Sequence, residues 1–226
     1  MHFSVDALLF DSDDTVVSTR LVSRVWRQWA QSYGISLDEV KARVPIHGRP
    51  ARAIIADLLP GPDVAGAVRR LEEAEVADAL AGNVTAVAGA AELIASLPAD
   101  RWAVVTSGAR RVAEARLARL GLLPEVLVTV DDTTRHKPHP EPFLLAAQRL
   151  GLDPARCAVV EDSPAGLASG RAAGMTTIAV TTTHAAEDLE ADATVADLTG
   201  ITARVAPDGR LQVTVGPRKD APTAAR

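Results

Sequence analysis

Apolar and polar positions along this chain follow two periods that alternate in blocks. The run 5–10, VDALLF, is short and largely apolar and reads as a strand. The stretch "STRLVSRVWRQWAQSYG" has helical period: Val22, Val25, Trp26 and Trp29 fall on one face and Gly34 supplies a stop. Residues 36–39, "SLDE", form a capping-box pattern that opens a second helix. Two further helical stretches are predicted near 50–59 and 62–80. The first strand is therefore followed by a long helical block in which no strand is predicted.

From about Val87 the two periods alternate. "AAELIASL" is helical and "WAVVTSG" is a strand ending in small polar residues. "RRVAEARLARLG" is a helix, "EVLVTV" a strand and "EPFLLAAQRLG" a helix, and both helices stop at Gly. "CAVVEDS" is a strand ending in acids, "PAGLASGRAAG" a helix and "TTIAVTT" a strand. Strands alternating with helices of this length imply a parallel sheet with crossover helices. The expected fold is α/β: a Rossmann-like parallel sheet core, 1–17 and 88–216, with a small helical cap inserted at 18–87. "TARVAPDGRLQVTV" reads as a hairpin about Pro-Asp-Gly. The polar end, 217–226, reads as a disordered tail.

Composition narrows the class. The chain has 226 residues, 47% hydrophobic, enough to bury a sizeable core. Its net charge of -5 leaves no dominant basic patch, which argues against nucleic acid as a partner. The one cysteine, Cys157, permits no internal disulfide and falls in a predicted buried strand, where it packs as a small apolar residue. The N-terminus lacks the pattern of a signal peptide, and no apolar run approaches the roughly 20 residues of a membrane span. A cytoplasmic protein away from the membrane is the expectation, and a monomer fits the sequence.

Ligands of open parallel sheets bind beyond the carboxyl ends of the strands. The first predicted strand delivers Asp11, Ser12, Asp13, Asp14 and Thr15 to that rim. The second delivers Thr106 and Ser107, and the fourth Glu161, Asp162 and Ser163. The loop after the third carries Arg135, His136, Lys137 and His139. Acids packed this tightly repel unless a cation compensates. Oxygen-rich carboxylate sites suit Mg²⁺, and lysine and hydroxyl donors suit phosphate. Each residue also has an ordinary role: aspartates at strand ends cap turns, Thr106 can cap the next helix, and His136 and His139 read as surface-loop residues.

These segments resemble the haloacid dehalogenase superfamily. "DSDDT" is similar to its Asp-x-Asp-x-Thr motif, Thr106 to its second motif, Lys137 in "HKPHPEPF" to its third and "VVEDSPAG" to its fourth. The resemblance spans roughly 5–200, with the motifs in order. Within the superfamily the chain most resembles sugar- and polyol-phosphate phosphatases of the β-phosphoglucomutase-like subgroup. "VWRQWAQSYGI" and "HGRPA" are similar to their cap helix and cap substrate loop.

The resemblance implies an Mg²⁺-dependent phosphatase acting on a small phosphorylated sugar or polyol. Asp11 would be the nucleophile and form an aspartyl-phosphate. Asp13 would be general acid, then general base. The Asp11 carboxylate, the Asp13 carbonyl and Asp162 would hold the metal, with Glu161 close by or acting through water. Thr106, Ser107 and Lys137 would bind phosphate, and His47, Gly48 and Arg49 of the cap loop would meet the substrate. Arg52 is a weaker candidate. Cap motion is expected to hinge at 16–20 and 83–89.

Two departures matter. Asp14 stands where most relatives carry Gly, and Ser18 where many carry Asp. Asp14 either adds a charge beside the phosphate or turns away to cap the backbone. Two alternatives therefore stand beside the phosphatase: a phosphosugar mutase of the β-phosphoglucomutase type, and a phosphometabolite binder whose catalysis Asp14 has weakened. The mutase needs an added acid–base set including a His, and "VVSTRLVSRVW" contains none.

Overall fold

A computed structural model of the chain describes residues 1–20, 23–44, 48–59, 61 and 63–216. The first apolar run is not one strand. Asp6 divides it into β1, His2–Val5, and β2, Ala7–Phe10. Asp6 is buried and its Oδ1 accepts a hydrogen bond from Arg156 Nη2 at 2.8 Å. The backbone bends at this lone carboxylate, and each half joins a different sheet.

The chain then runs through β3, Val17–Ser18, into four helices: α1, Ser23–Ser32; α2, Leu37–Arg43; α3, Ala51–Leu58; and α4, Val64–Leu80. The expected capping box opens α2: Glu39 N donates to Ser36 Oγ at 3.1 Å and Ser36 N to Glu39 Oε2 at 2.8 Å. The helices enclose a core of their own, with Trp29, Val40, Ile55, Leu58 and Leu71 at its centre. β4, Thr85–Ala86, brings the chain back and pairs antiparallel with β3. The two connections to the helical block thus lie side by side, and neither is a continuous strand. A two-residue ladder leaves no period in the sequence, which is why none is predicted there.

Next come α5, Ala90–Ala95; β5, Trp102–Val105; α6, Arg110–Leu120; β6, Leu127–Val128; α7, Glu141–Leu150; β7, Cys157–Glu161; α8, Pro164–Ala172; and β8, Thr176–Val180. β9, Ala193–Val195, precedes the hairpin of β10, Ile201–Val205, and β11, Leu211–Val215. A six-stranded sheet has the order β6-β5-β2-β7-β8-β9, with every neighbouring pair parallel. The predicted hairpin exists, and β1 extends it into a three-stranded antiparallel sheet.

β2 is central and buried at every position, and its side chains alternate between two cores. Leu8 and Phe10 face α5 and α6, whereas Ala7 and Leu9 face α7. β6 is shorter than "EVLVTV" suggests. Asp132 accepts hydrogen bonds from Thr129 N and Oγ1, both at 2.8 Å, and turns the chain out of the sheet. β9 has no predicted counterpart, because "DATVAD" places acids on both sides of a three-residue strand. Cys157 is buried in β7, and burial pushes its thiol up to about 12, which leaves it unreactive. The expected tail, 217–226, lies outside the described residues.

Candidate active site

The parallel sheet ends in a cleft of about 810 Å³, floored by loops after its strands and walled by the inserted helices. Asp11 follows β2 directly, and its N–H donates to Val160 O at 2.9 Å. The chain then turns sharply: Val16 N and Val17 N both donate to Ser12 O, at 2.9 and 2.8 Å. The turn requires a left-handed residue, and Asp14 supplies it with φ of 60°. The Asp14 carboxylate points forward along the chain, accepting from Thr19 N at 2.9 Å and Thr19 Oγ1 at 2.5 Å. The backbone cap expected for Asp14 is observed, and its charge is also felt at the site, since Asp14 lines the cleft and adds to the upward push on Asp162.

Lys137 joins the strand ends. Its buried Nζ donates to Asp11 Oδ1 at 2.5 Å, Glu161 Oε1 at 2.8 Å and Val105 O at 2.9 Å, using all three donors of an ammonium. Glu161 is fully buried, and its other oxygen accepts from Ser163 N at 2.7 Å and Ser163 Oγ at 2.8 Å. Gly166 makes room for this carboxylate, since a Cβ there would sit 1.7 Å from Glu161 Oε1. Asp162 Oδ2 accepts from Thr183 Oγ1 at 2.5 Å, and Oδ1 from Thr15 Oγ1 at 3.3 Å.

Three carboxylates here exceed what one lysine can neutralise. Asp11, Glu161 and Asp162 offer oxygens within 4.8 Å of one another, and all three are buried. Burial drives the Asp11 carboxyl well above the ordinary carboxylate range, against the pull of Lys137 and with the help of Glu161 and Asp162. Burial, then the charge of Glu161, pushes Asp162 to about 8. Burial also works against the charged form of Lys137, but Asp11 and Glu161 outweigh it and hold the amine above its ordinary value. An oxygen-only cluster with surplus negative charge fits a hard divalent cation. Asp11 and Asp162 are the donors best placed to offer oxygens to it, because both line the cleft, whereas Glu161 is fully buried behind them.

Thr106 lies at the end of β5, buried, with Oγ1 accepting from Gly108 N at 3.0 Å. Ser107 reaches the opposite wall: its Oγ donates to Gly48 O at 2.9 Å. Gly48 has φ of +75°, and a Cβ there would stand 2.8 Å from Ser163 Oγ. Arg49 lines the cleft and pairs with Asp57 at 2.7 Å. His47 lies outside the described residues. His136 and His139 stay in their own loop: His136 Nδ1 meets Thr133 Oγ1 at 3.4 Å, and His139 Nδ1 accepts from Glu141 N at 3.1 Å.

Besides Thr183, which holds Asp162, two charged residues at this site escape the motif reading. Arg116 on α6 meets both oxygens of Asp13, at 3.0 and 3.3 Å, and Glu75 Oε1 on α4 at 2.9 Å. A signal existed. Val112, Ala113, Arg116 and Leu117 share the buried face of α6, and Leu71, Glu75 and Ala79 that of α4. A charge on an apolar face demands a partner.

A family model described as haloacid dehalogenase-like hydrolase matches residues 5–174. The chain belongs to the haloacid dehalogenase-like hydrolases. Hydrolases of this family generally use a divalent metal, and the acidic cluster here is of that kind. Hexitol phosphatase A of Escherichia coli is 44% identical over 179 residues, covering 76% of this chain and 81% of its own. Fructose-1-phosphate phosphatase YqaB of Escherichia coli is 36% identical over 192 residues, covering 80% of this chain and 98% of its own. Among solved structures, CbbY from Rhodobacter sphaeroides in complex with phosphate is 25% identical. It superposes with a TM-score of 0.74, covering 86% of this chain and 95% of its own. Among the described residues, no helix of this hydrolase is long and apolar enough to cross a membrane.

Proposed function

We propose that this hydrolase is an Mg²⁺-dependent phosphatase of small phosphorylated sugars or polyols that works in the cytoplasm. The relatives named above act on a hexitol phosphate and on fructose 1-phosphate, which supports that substrate class. The observation that carries the reading is the convergence of Asp11, Lys137 and Asp162 at the sheet's carboxyl edge, with Asp13 two residues from Asp11 on the cleft wall.

In this reading Asp11 attacks phosphorus in line and becomes the aspartyl-phosphate. Lys137 keeps the nucleophile oriented and offsets its charge, so that one anion can approach another. Thr106 Oγ1 and the N–H groups after β5 meet the phosphate oxygens. Asp13 gives a proton to the leaving alkoxide, then takes one from the water that hydrolyses the intermediate. The Asp11 and Asp162 carboxylates and the Asp13 carbonyl would hold Mg²⁺, with Glu161 behind them. When bound, it screens the phosphoryl charge. Residues 18–87 act as a cap over the core of 1–17 and 88–216, and the Gly48–Arg49 loop reads the organic part of the substrate. Thr15 and Thr183 hold Asp162 in place. The mutase reading is disfavoured, since 16–26 contains no His. The weakened-binder reading is the less favoured, because the Asp14 carboxylate turns onto Thr19, although its charge still bears on Asp162.

The test is phosphate release from hexitol, hexose and glycerol phosphates, with Mg²⁺ and with chelator. Release that requires Mg²⁺ supports the reading, and the substrate ranking identifies what the cap selects. Folded protein that releases phosphate from none of them refutes it.

A further inference from the structure

Asp13 is an unusual choice for a precise acid and base, because its side chain is 42% exposed and sits on a loop. An unsupported carboxylate in that position would sample several rotamers. Here it does not stand alone. Arg116 Nη1 touches both its oxygens, at 3.0 and 3.3 Å, and so fixes the position of the carboxylate. Arg116 is only 6% exposed and is itself held from the other side, where Nη2 donates to Glu75 Oε1 at 2.9 Å. Glu75 is buried and accepts a further bond from Trp26 Nε1 at 3.1 Å. The chain of contacts runs from Trp26 on α1 and Glu75 on α4, in the helical block, through Arg116 on α6, to Asp13 in the core loop.

We propose that Arg116 is the positioning residue for Asp13, and that Glu75 ties this pose to the seating of the helical block over the sheet. This rests on the reading of Asp13 as general acid and base. A buried guanidinium needs counter-charges on both flanks, and the core supplies one and the inserted helices the other. α4 packs along α6, so Glu75 reaches Arg116 only while the block is seated. With the block displaced, Arg116 loses its second anchor, and the carboxylate it holds loses its fixed place. The acid is then aligned when the cleft is covered and loose when it is open, which favours proton transfer only around an enclosed substrate.

The competing explanation is a purely structural ion pair between α4 and α6. The leaving group separates the two. An alkyl phosphate expels an alkoxide that must be protonated, whereas 4-nitrophenyl phosphate expels a stable phenolate that need not be. The parameter kcat/KM reports events up to formation of the phosphoryl-enzyme. In Arg116→Met with Mg²⁺, kcat/KM for glucitol 6-phosphate is expected to fall about 10²-fold, the scale of a lost general acid, and the aryl ester far less. Arg116→Lys and Glu75→Gln should shift the same ratio in the same direction by less, and they carry the test if the Met variant does not fold. Equal losses on both esters, or none, overturn the positioning role while leaving the phosphatase intact. Where wild type does not turn over glucitol 6-phosphate, its best alkyl phosphate among the hexitol, hexose and glycerol phosphates takes that place, and a wild type inactive on all of them and on the aryl ester overturns the phosphatase reading and this proposal with it.

Discussion

Asp14 turns its carboxylate onto Thr19, accepting from the backbone N–H at 2.9 Å and the hydroxyl at 2.5 Å, while its own φ is 60°. The side chain anchors the start of the helical block to the loop after β2. Alanine there would keep the left-handed backbone and lose both bonds. Asp14→Ala is expected to cost about 1–2 kcal/mol. Asp14→Gly loses the bonds but adopts the angle freely, and should fall within about 1 kcal/mol of wild type. Urea midpoints check the order, and both variants should still turn over substrate. A large gain of activity in Asp14→Gly would mean that the charge burdens the site after all.

Gly48 meets the core through its carbonyl, which accepts from Ser107, and leaves no room for a side chain beside Ser163. Gly48→Ala would put a Cβ 2.8 Å from Ser163 Oγ at a positive φ. The loop must then lift. A strain of about 1–2 kcal/mol corresponds to roughly a tenfold loss of kcat/KM, with global stability little changed. Unaltered kinetics would show that the loop need not approach the sheet.

Asp132 offers a pH signature away from the Asp11, Glu161 and Asp162 cluster. Its carboxylate binds Thr129 N and Oγ1, Arg110 at 2.6 Å and Arg149 at 2.8 Å. Burial opposes ionisation, but the Arg149 and Thr129 bonds outweigh it and hold the carboxyl far below its ordinary value. A depressed carboxyl adds stability above the unfolded value of about 3.9 and loses it as pH falls through that value toward the folded one. Asp132→Asn should therefore be less stable than wild type at pH 7, by about 1–3 kcal/mol. The gap should close as pH drops below about 4, as read by thermal melts across pH.

Cation binding should appear as stability. At 100 times its dissociation constant, a cation that binds only the folded state adds about 2.7 kcal/mol. Mg²⁺ should raise the melting temperature of wild type, and chelator should reverse the rise. Asp162→Asn should lose most of it. An equal rise in that variant would place the cation elsewhere.

Much of this site is legible because parallel strands bring distant residues to one edge. Asp11, Thr106, Lys137 and Asp162 each follow a strand or its loop, and the sheet order sets those ends together. What stays hidden is decided by partners far along the chain. Asp6 breaks an apolar run because Arg156 waits for it, and β6 stops early because Asp132 draws Thr129 aside. β3, β4 and β9 are too short to carry a period. Arg116 and Glu75 lie 41 residues apart, on helices whose apolar faces each hide one charge. No motif announces such a pair; the misplaced charges do.

The most direct test asks whether Asp11 carries the phosphoryl group. Turnover of a hexitol phosphate with Mg²⁺ would be quenched in acid and reduced with borohydride, which converts an aspartyl-phosphate to homoserine. The peptide bearing Asp11 would then be weighed. The expected result is homoserine at position 11, only when substrate and Mg²⁺ are both present, with Asp11→Asn releasing no phosphate. Sustained phosphate release by Asp11→Asn, with no mark at position 11 in wild type, would contradict the account.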